Sequence, residues 1–177
     1  MTHHELIARV LDREGRTTTN DPRDPGKLTR NGLTYGTWRR RTAGGTVARF
    51  LALTDQQIED FLVEVFIVEP GFDLVDDEHL REQLVDFGVM SDPKTAVRQL
   101  QTVLGDVAID GVLGPRTLAS LAGKETRTVR NEVAVARALF YARLAQSDIN
   151  AWFSDGSPLD VAAFNFGWLR RALSFVE

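Results

Sequence analysis

Apolar residues recur at helical spacing along most of this chain. The first such stripe lies in residues 3–14 and ends at Gly15, where a helix stop is expected: Leu6, Ile7, Val10 and Leu11. Thr54 and Gln57 form a capping-box pattern that opens a second helix, and Pro70-Gly71 ends it. Further stripes predict helices at about 78–88, 92–105, 115–123, 128–146 and 159–175. The pattern predicts a mainly α protein.

Residues 16–50 lack this periodicity and are rich in turn-forming residues instead. Asn31-Gly32 is the best short hairpin signal in the chain, with Leu28-Thr29 before it and Leu33-Thr34-Tyr35 after it. Loops longer than about 12–15 residues are usually functional or disordered. Because this one contains aromatic residues and ordered turn signals, we expect a loop-and-hairpin segment at about 16–50 that carries function.

Composition excludes several classes of protein. The 177 residues include no cysteine, which excludes a disulfide scaffold and thiolate chemistry. No apolar run approaches the ~18–20 residues that a membrane span needs, and the N-terminus lacks the features of a signal peptide. We therefore expect synthesis in the cytoplasm and no membrane span. The three histidines show no metal-site spacing, so we also expect no metal and no cofactor.

The net charge of −4 conceals an uneven distribution. Residues 1–50 carry ten basic and five acidic groups, residues 51–100 carry three and twelve, and residues 101–177 carry eight of each. A mildly acidic chain argues against nucleic acid as a partner. The basic run Arg39-Arg40-Arg41 beside Trp38 would need a wider basic surface for that role, so we expect no nucleic-acid binding.

Glu14 is the strongest single candidate for chemistry. It continues the apolar face of helix 3–14, since residues 7, 10, 11 and 14 fall at helical spacing. Partial desolvation and the negative end of the helix dipole would both raise the pKa of this carboxyl group. That is the direction a general acid working near neutral pH requires. A helix-end glutamate that simply reaches solvent is the alternative.

Asp21 and Asp24 follow Glu14 in a short proline-rich loop. Glycoside hydrolysis uses such pairs of carboxyl groups: one protonates the leaving oxygen, and the other activates water or stabilises the cation-like sugar. Asx residues before proline are also ordinary turn formers, which is the stronger interpretation for these two. Thr29 and Thr34 could position a water molecule or a sugar hydroxyl, although threonine is also a normal strand residue.

Several motifs occur in an order that resembles one known family. Residues 14–16 read Glu-Gly-Arg, residues 20–27 Asn-Asp-Pro-Arg-Asp-Pro-Gly-Lys, and residues 28–34 Leu-Thr-Arg-Asn-Gly-Leu-Thr. Val85-Asp86-Phe87-Gly88 then precedes a helix containing Ala96 and Gln101. Residues 110–117 read Asp-Gly-Val-Leu-Gly-Pro-Arg-Thr, and residues 167–171 Gly-Trp-Leu-Arg-Arg. The chain resembles the glycoside hydrolase family 108 muramidases, joined to the small peptidoglycan-binding-like domain that usually follows them.

The resemblance implies a fold, an activity and a division of the chain. It implies a lysozyme-like helical fold, with a catalytic region at 1–91 and a small peptidoglycan-binding-like helical region at 92–177, packed as one unit. It implies cleavage of the β-1,4 bond between N-acetylmuramic acid and N-acetylglucosamine in peptidoglycan by a monomer. Such proteins act on the wall as phage endolysins after holin release, through dedicated export, or within a phage particle.

The resemblance also assigns roles to residues. Glu14 is implied as the catalytic acid, with Asp24 or, less favoured, Asp21 as the second carboxylate. The residues expected to contact the glycan are Asn20, Gly26, Thr29, Gly32, Thr34 and Trp38. Because all of them lie in the basic segment 1–50, we expect a positive cleft on an acidic body, with activity that falls as salt rises.

The chain departs from the family pattern at several cleft positions. Arg16 and Lys27 replace glycines, Asn31 replaces an aromatic residue, and Met90 replaces an asparagine. These changes leave two alternatives open. One is a catalytically altered muramidase fold that binds peptidoglycan or serves in a phage particle. The other is a lytic transglycosylase that uses the same glutamate without water.

Overall fold

The structure, a computed structural model, describes residues 1–14, 28–155 and 169–176, with Glu14 and residues 145–155 described by their backbone alone. It confirms a mainly α protein with one short hairpin. The regular elements are α1 His3–Glu14, β1 Thr29–Arg30, β2 Leu33–Thr34, α2 Tyr35–Arg41, α3 Val47–Leu51, α4 Asp55–Val63, α5 Glu78–Met90, α6 Pro93–Leu104, α7 Pro115–Ala122 and α8 Thr126–Asp155. A π-helical turn, Glu64–Val68, follows α4, and a 3₁₀ turn spans Phe72–Leu74.

The chain divides into two compact units, Met1–Asp73 and Leu74–Glu177. This division falls before α5, whereas the division expected from the motifs falls after it, at residues 91 and 92. The division at residues 91 and 92 is drawn from the order of the sequence motifs, and it stays a prediction. So does the expectation that the two regions pack as one unit.

Capping and apolar spacing set most helix boundaries as predicted. Thr54 caps α4 through a complete capping box with Gln57. Asp92 caps α6 at its start, where Pro93 occupies the first turn. Gly105 ends α6 in the left-handed conformation, with a φ of +77°.

The prediction of a loop-and-hairpin segment at 16–50 was wrong in part, because the described portion of this segment contains two short helices. Thr34 caps α2 by accepting a hydrogen bond from the Thr37 amide, and Thr46 caps α3 from the Arg49 amide. Each helix buries few side chains, so neither makes a long apolar stripe: Tyr35, Trp38 and Phe50. Helices this short depend on tertiary packing, which periodicity does not reveal.

The two C-terminal helices were also predicted with different limits. α8 continues to Asp155, beyond the predicted end at about 146, because the first helix breaker in the sequence is Gly156. Of the helix predicted at 159–175, residues 169–173 are helical, and residues 159–168 lie outside the described part of the chain.

The second unit is built around a buried cluster of charges. Asp86 of α5 is fully buried and forms ion pairs with Arg137 of α8 at 2.6 Å and with Arg171 at 2.5 Å. Arg137 is itself fully buried, and its guanidinium lies 5.2–5.7 Å from the ring centres of Phe87, Tyr141 and Phe175. One carboxylate therefore joins α5, α8 and the C-terminal segment 169–173.

Asp86 is expected to make the second unit sensitive to acid. Burial alone would raise the pKa of this carboxyl group, but the hydrogen bonds from Arg171 and the charge of Arg137 outweigh it and lower the pKa. The stabilisation is then present above the ordinary Asp pKa of about 4 and is lost as the pH falls through the lower pKa of the folded state.

We expect Asp86→Asn to lower the free energy of unfolding by about 3–5 kcal/mol, because it leaves two arginines beside a neutral group. Denaturant titration at neutral pH measures this change. Asp76→Asn, at an exposed position of the same unit, is the matched control and should have little effect. An Asp86→Asn protein as stable as the wild type would contradict the role of the cluster.

Candidate active site

Helix α1 places Glu14 at its last residue. Leu6, Ile7, Val10 and Leu11 are at most 2% exposed, which confirms the predicted apolar face and fixes the helix in the core of the first unit. α1 packs on α4, and His4 of α1 lies 2.9 Å from the Asp60 carboxylate. This hydrogen bond, with a second from Gln56, lowers the pKa of Asp60. The start of α1 is therefore held by α4.

The hairpin packs against α1 close to Glu14. β1 and β2 pair antiparallel with Thr29 opposite Thr34 and Arg30 opposite Leu33. Asn31 and Gly32 form the turn with positive φ angles of 46° and 79°, as the Asn-Gly signal predicts. A Cβ atom on Gly32 would lie 2.3 Å from a Leu11 methyl carbon. Gly32 thus allows the turn to touch α1 three residues before Glu14.

Arg30 ties the other side of the hairpin to the segment between α3 and α4. Its Nη1 donates to the carbonyl oxygens of Leu51 at 2.7 Å, Leu53 at 2.8 Å and Phe50 at 3.3 Å. Next to it, the Asn31 side chain donates to the Asp55 carboxylate at 2.8 Å. Carbonyl groups at a helix end have few helical partners, and this guanidinium supplies a charged donor to three of them at and just after the end of α3. The role of Arg30 was not predicted from the sequence, because every residue has a backbone carbonyl group and residue type does not identify the acceptors.

The threonines predicted to contact the glycan lie on this hairpin. Thr29 and Thr34 are half-buried and face each other across the two strands. The Thr34 hydroxyl is occupied locally, since it accepts from the Thr37 amide at 3.1 Å and donates to the Thr37 hydroxyl at 2.9 Å. Thr34 therefore fixes the junction between β2 and α2.

Trp38, also predicted to contact the glycan, is a core residue in the structure. It is 4% exposed, and its ring centre lies 5.5 Å from that of Phe50 and 6.2 Å from that of Tyr35. The Tyr35 hydroxyl donates to the Gly45 carbonyl oxygen at 3.2 Å. These three aromatic residues hold α2 and α3 together. A direct contact between Trp38 and the glycan stays a prediction.

The remaining predicted site residues lie outside the described part of the chain: Asn20, Asp21, Asp24 and Gly26. The same holds for Arg16 and Lys27, whereas Met90 is the half-buried last residue of α5. The structure thus brings together the end of α1 and the hairpin that carries Thr29, Gly32 and Thr34. The roles assigned to all of these residues stay predictions.

Several arginines lie on the two helices that follow the hairpin. Arg39, Arg40 and Arg41 occupy the last turn of α2, where the helix dipole favours cations, and all three are exposed. Arg41 pairs with Glu69, and Arg49 of α3 donates to the carbonyl oxygens of Ala43 and Gly44. In the described ranges there is no cluster of three or more His, Asp or Glu side chains that could hold a metal ion. No described helix is both long and apolar enough to span a bilayer.

We expect Arg30→Ala to loosen the hairpin. Removing a charged donor from three carbonyl oxygens should cost about 1–3 kcal/mol, so the hairpin amides of Leu33 and Tyr35 should exchange with deuterium about tenfold faster or more. Hydrogen-exchange mass spectrometry measures this directly. Arg49→Ala, which removes two loop carbonyl contacts away from the hairpin, is the control. Unchanged amide exchange in the Arg30→Ala protein would contradict this role of Arg30.

Comparisons with known proteins find two matching sequence families and a similar solved structure. Residues 7–91 match the family described as "Glycosyl hydrolase 108", and residues 95–173 match the family described as "Predicted Peptidoglycan domain". A solved structure of Brucella abortus SagA is similar over 99% of this chain and 95% of its own, with 26% identity and a TM-score of 0.70. No curated protein matches significantly.

The two families together indicate a peptidoglycan hydrolase with glycoside hydrolase activity. They also indicate peptidoglycan as the partner. Residues 7–91 are therefore similar to the glycosyl hydrolase 108 family, and residues 95–173 are similar to the predicted peptidoglycan domain family.

Proposed function

We propose that this protein is an N-acetylmuramidase that cleaves the β-1,4 bond between N-acetylmuramic acid and N-acetylglucosamine, with Glu14 as the general acid. The observation that carries the proposal is the packing of the hairpin turn on Leu11, one helical turn before Glu14. The end of a helix beside a polar hairpin is a suitable place for a glycan strand to bind. We further propose that the protein acts on the wall after holin release, dedicated export or assembly into a phage particle.

The proposed reaction needs Glu14 in its protonated form. We expect the negative end of the helix dipole, in the last turn of α1, to favour that form. Glu14 donates its proton to the glycosidic oxygen as the bond from that oxygen to the anomeric carbon breaks. A water molecule adds to the anomeric carbon and loses a proton. Asp24, or less favoured Asp21, assists that water or stabilises the positive charge.

The hairpin has a positioning role in this proposal. It is held on α1 through Gly32 and on the α3–α4 connection through Arg30, so its strands cannot shift without breaking one of these contacts. A reacting group misplaced by about 1 Å can reduce the rate about a hundredfold. Thr29 and the hairpin backbone are the groups we assign to sugar hydroxyls, with Thr34 acting through its cap of α2.

We expect Glu14→Gln to reduce the rate of glycan cleavage by about 10²–10⁴-fold, because the amide cannot donate the required proton. Reducing ends released from purified sacculi measure the rate, and the melting temperature should stay close to that of the wild type. Glu5→Gln, in the first turn of the same helix, is the matched control and should keep its activity.

Two outcomes would contradict the proposal. Full activity of the Glu14→Gln protein would remove Glu14 as the acid. Products of the wild type that end in a 1,6-anhydro ring, identified by mass, would show a lytic transglycosylase, since a hydrolase adds water. A wild type that sediments with sacculi and releases no fragments would show a binding module.

We also expect the reaction to depend on salt. Raising the ionic strength from about 0.01 M to about 0.15 M shortens the screening length from about 30 Å to about 8 Å. The arginines of α2 and α3 then attract an anionic wall less, so KM for sacculi should rise several-fold. Initial rates at several substrate concentrations test this, with an uncharged chitin oligosaccharide as the control substrate. A KM for sacculi that does not change with salt would contradict it.

A further inference from the structure

The loop between α6 and α7 exposes two aliphatic side chains in the second unit. Ile109 is 56% exposed and Val112 is 59% exposed. Between them, Gly111 has a φ of +79°, a conformation that favours glycine. The loop belongs to the tight turn at residues 110–117, which the sequence singled out and the proposed chemistry does not use.

This loop is held rigidly, so the exposure of both side chains is built into the fold. Gln101 of α6 is 1% exposed, and its amide group reaches into the loop. Its Nε2 donates to the Asp110 carboxylate at 2.8 Å and to the Val112 carbonyl oxygen at 3.0 Å, and its Oε1 accepts from the Gly111 amide at 2.9 Å. A buried amide with all these partners fixes the loop backbone.

Three cations lie on the helices at either end of this loop. Lys94 and Arg98 lie one turn apart on α6, and Gly111 lies over that turn: a Cβ atom there would be 3.3 Å from both the Lys94 carbonyl oxygen and Arg98 Nε. Arg116 lies in the first turn of α7, four residues after Val112. All three side chains are exposed, and none forms an ion pair or side-chain hydrogen bond with any described residue.

The carboxylates nearby accept hydrogen bonds from other groups, and the charge of Arg98 helps to lower the pKa of Asp110, but none of them forms an ion pair with these three cations. Asp110 accepts from Gln101 and from the Val112 amide. Asp106 accepts from the Ser120 hydroxyl and pairs with Lys124 at 3.6 Å. Asp92 caps α6 by accepting from the Thr95 amide. The surface around Ile109 and Val112 therefore carries both signs of charge, and Lys94, Arg98 and Arg116 have no ion-pair partner in the described part of the chain.

We propose that Lys94, Arg98, Ile109, Val112 and Arg116 form a surface that binds the stem peptides of peptidoglycan. Stem peptides are short, carry free carboxylates and have small aliphatic side chains, which matches exposed aliphatic groups among unpaired cations. The inference rests on the proposed function and names a second contact with the same substrate. It lies in the part of the chain that matches the predicted peptidoglycan domain.

The sequence favours the peptide over the glycan as the group bound here. Sugar rings are commonly bound on flat aromatic side chains, which offer a large apolar area with little loss of conformational entropy. No aromatic residue occurs between Phe87 and Phe140, a stretch that includes the whole surface. Isolated aliphatic side chains and cations suit a peptide with carboxylates better than a sugar face.

Co-sedimentation of the full-length protein with purified sacculi tests this surface. Two double variants, Ile109→Ser with Val112→Ser and Arg98→Glu with Arg116→Glu, should each bind intact sacculi about tenfold more weakly. Both should bind peptide-free glycan, prepared with an amidase, as the wild type does. A synthetic stem tetrapeptide should displace the wild type from intact sacculi.

Matched variants on α8 control for the loss of apolar surface and of charge. Val135→Ser with Leu139→Ser removes side chains that are 48% and 52% exposed, and Arg127→Glu with Arg143→Glu makes the same change in charge. Both controls should bind intact sacculi as the wild type does. Circular dichroism and melting temperatures must show that all four variants are folded.

The outcomes separate this surface from the proposed activity. Unchanged binding of the surface variants to intact sacculi would overturn the surface, as would an equal loss of binding on peptide-free glycan, which would identify a sugar site. Release of reducing ends by the wild type is measured in the same samples. If those ends are absent, the proposed function fails, whereas reducing ends with unchanged binding of the variants contradict the surface alone.

Discussion

The second unit depends on one buried carboxylate that compensates two guanidinium groups. Arg137 is fully buried, and a buried cation is very costly unless a partner lies beside it. Asp86 is that partner, and it also accepts two hydrogen bonds from Arg171, which lies 85 residues further along the chain. Three segments distant in sequence are therefore joined through one carboxylate. The aromatic rings around Arg137 add apolar packing and exclude water from the pair.

The first unit is organised differently, through backbone contacts of its hairpin. A two-residue turn is marginal by itself, so its position must come from its neighbours. Gly32 supplies close packing on α1 because it has no side chain, and Arg30 supplies hydrogen bonds to carbonyls at the end of α3. The hairpin is thereby fixed between an apolar contact and a polar one. A site beside it inherits this rigidity, which catalytic geometry requires.

Local signals were sufficient where a structure depends on neighbours in the sequence. The face of α1, the capping box at Thr54 and the Asn31-Gly32 turn all follow from residues within a few positions, and the structure confirms them. The short helices α2 and α3 could not be predicted, because their stability comes from the contacts of Tyr35, Trp38 and Phe50. Trp38 packs in the core through these contacts, and its expected contact with the glycan stays a prediction. The motifs contained both Asp86 and Arg171, but not the fact that they pair.

The arginines of the second unit show why the net charge of a region says little about its function. Residues 101–177 carry equal numbers of acidic and basic groups, which would suggest a neutral surface. Arg137 and Arg171 form ion pairs with one aspartate in the core. Asp106 and Asp110 accept hydrogen bonds that shape the α6–α7 loop. Each of these pairs has a structural reason. Arg98, which lies just before this range, and Arg116 within it are exposed and form no ion pair in the described part of the chain. Exposed cations beside exposed aliphatic groups on a rigid loop are explained better by a ligand than by the stability of the fold.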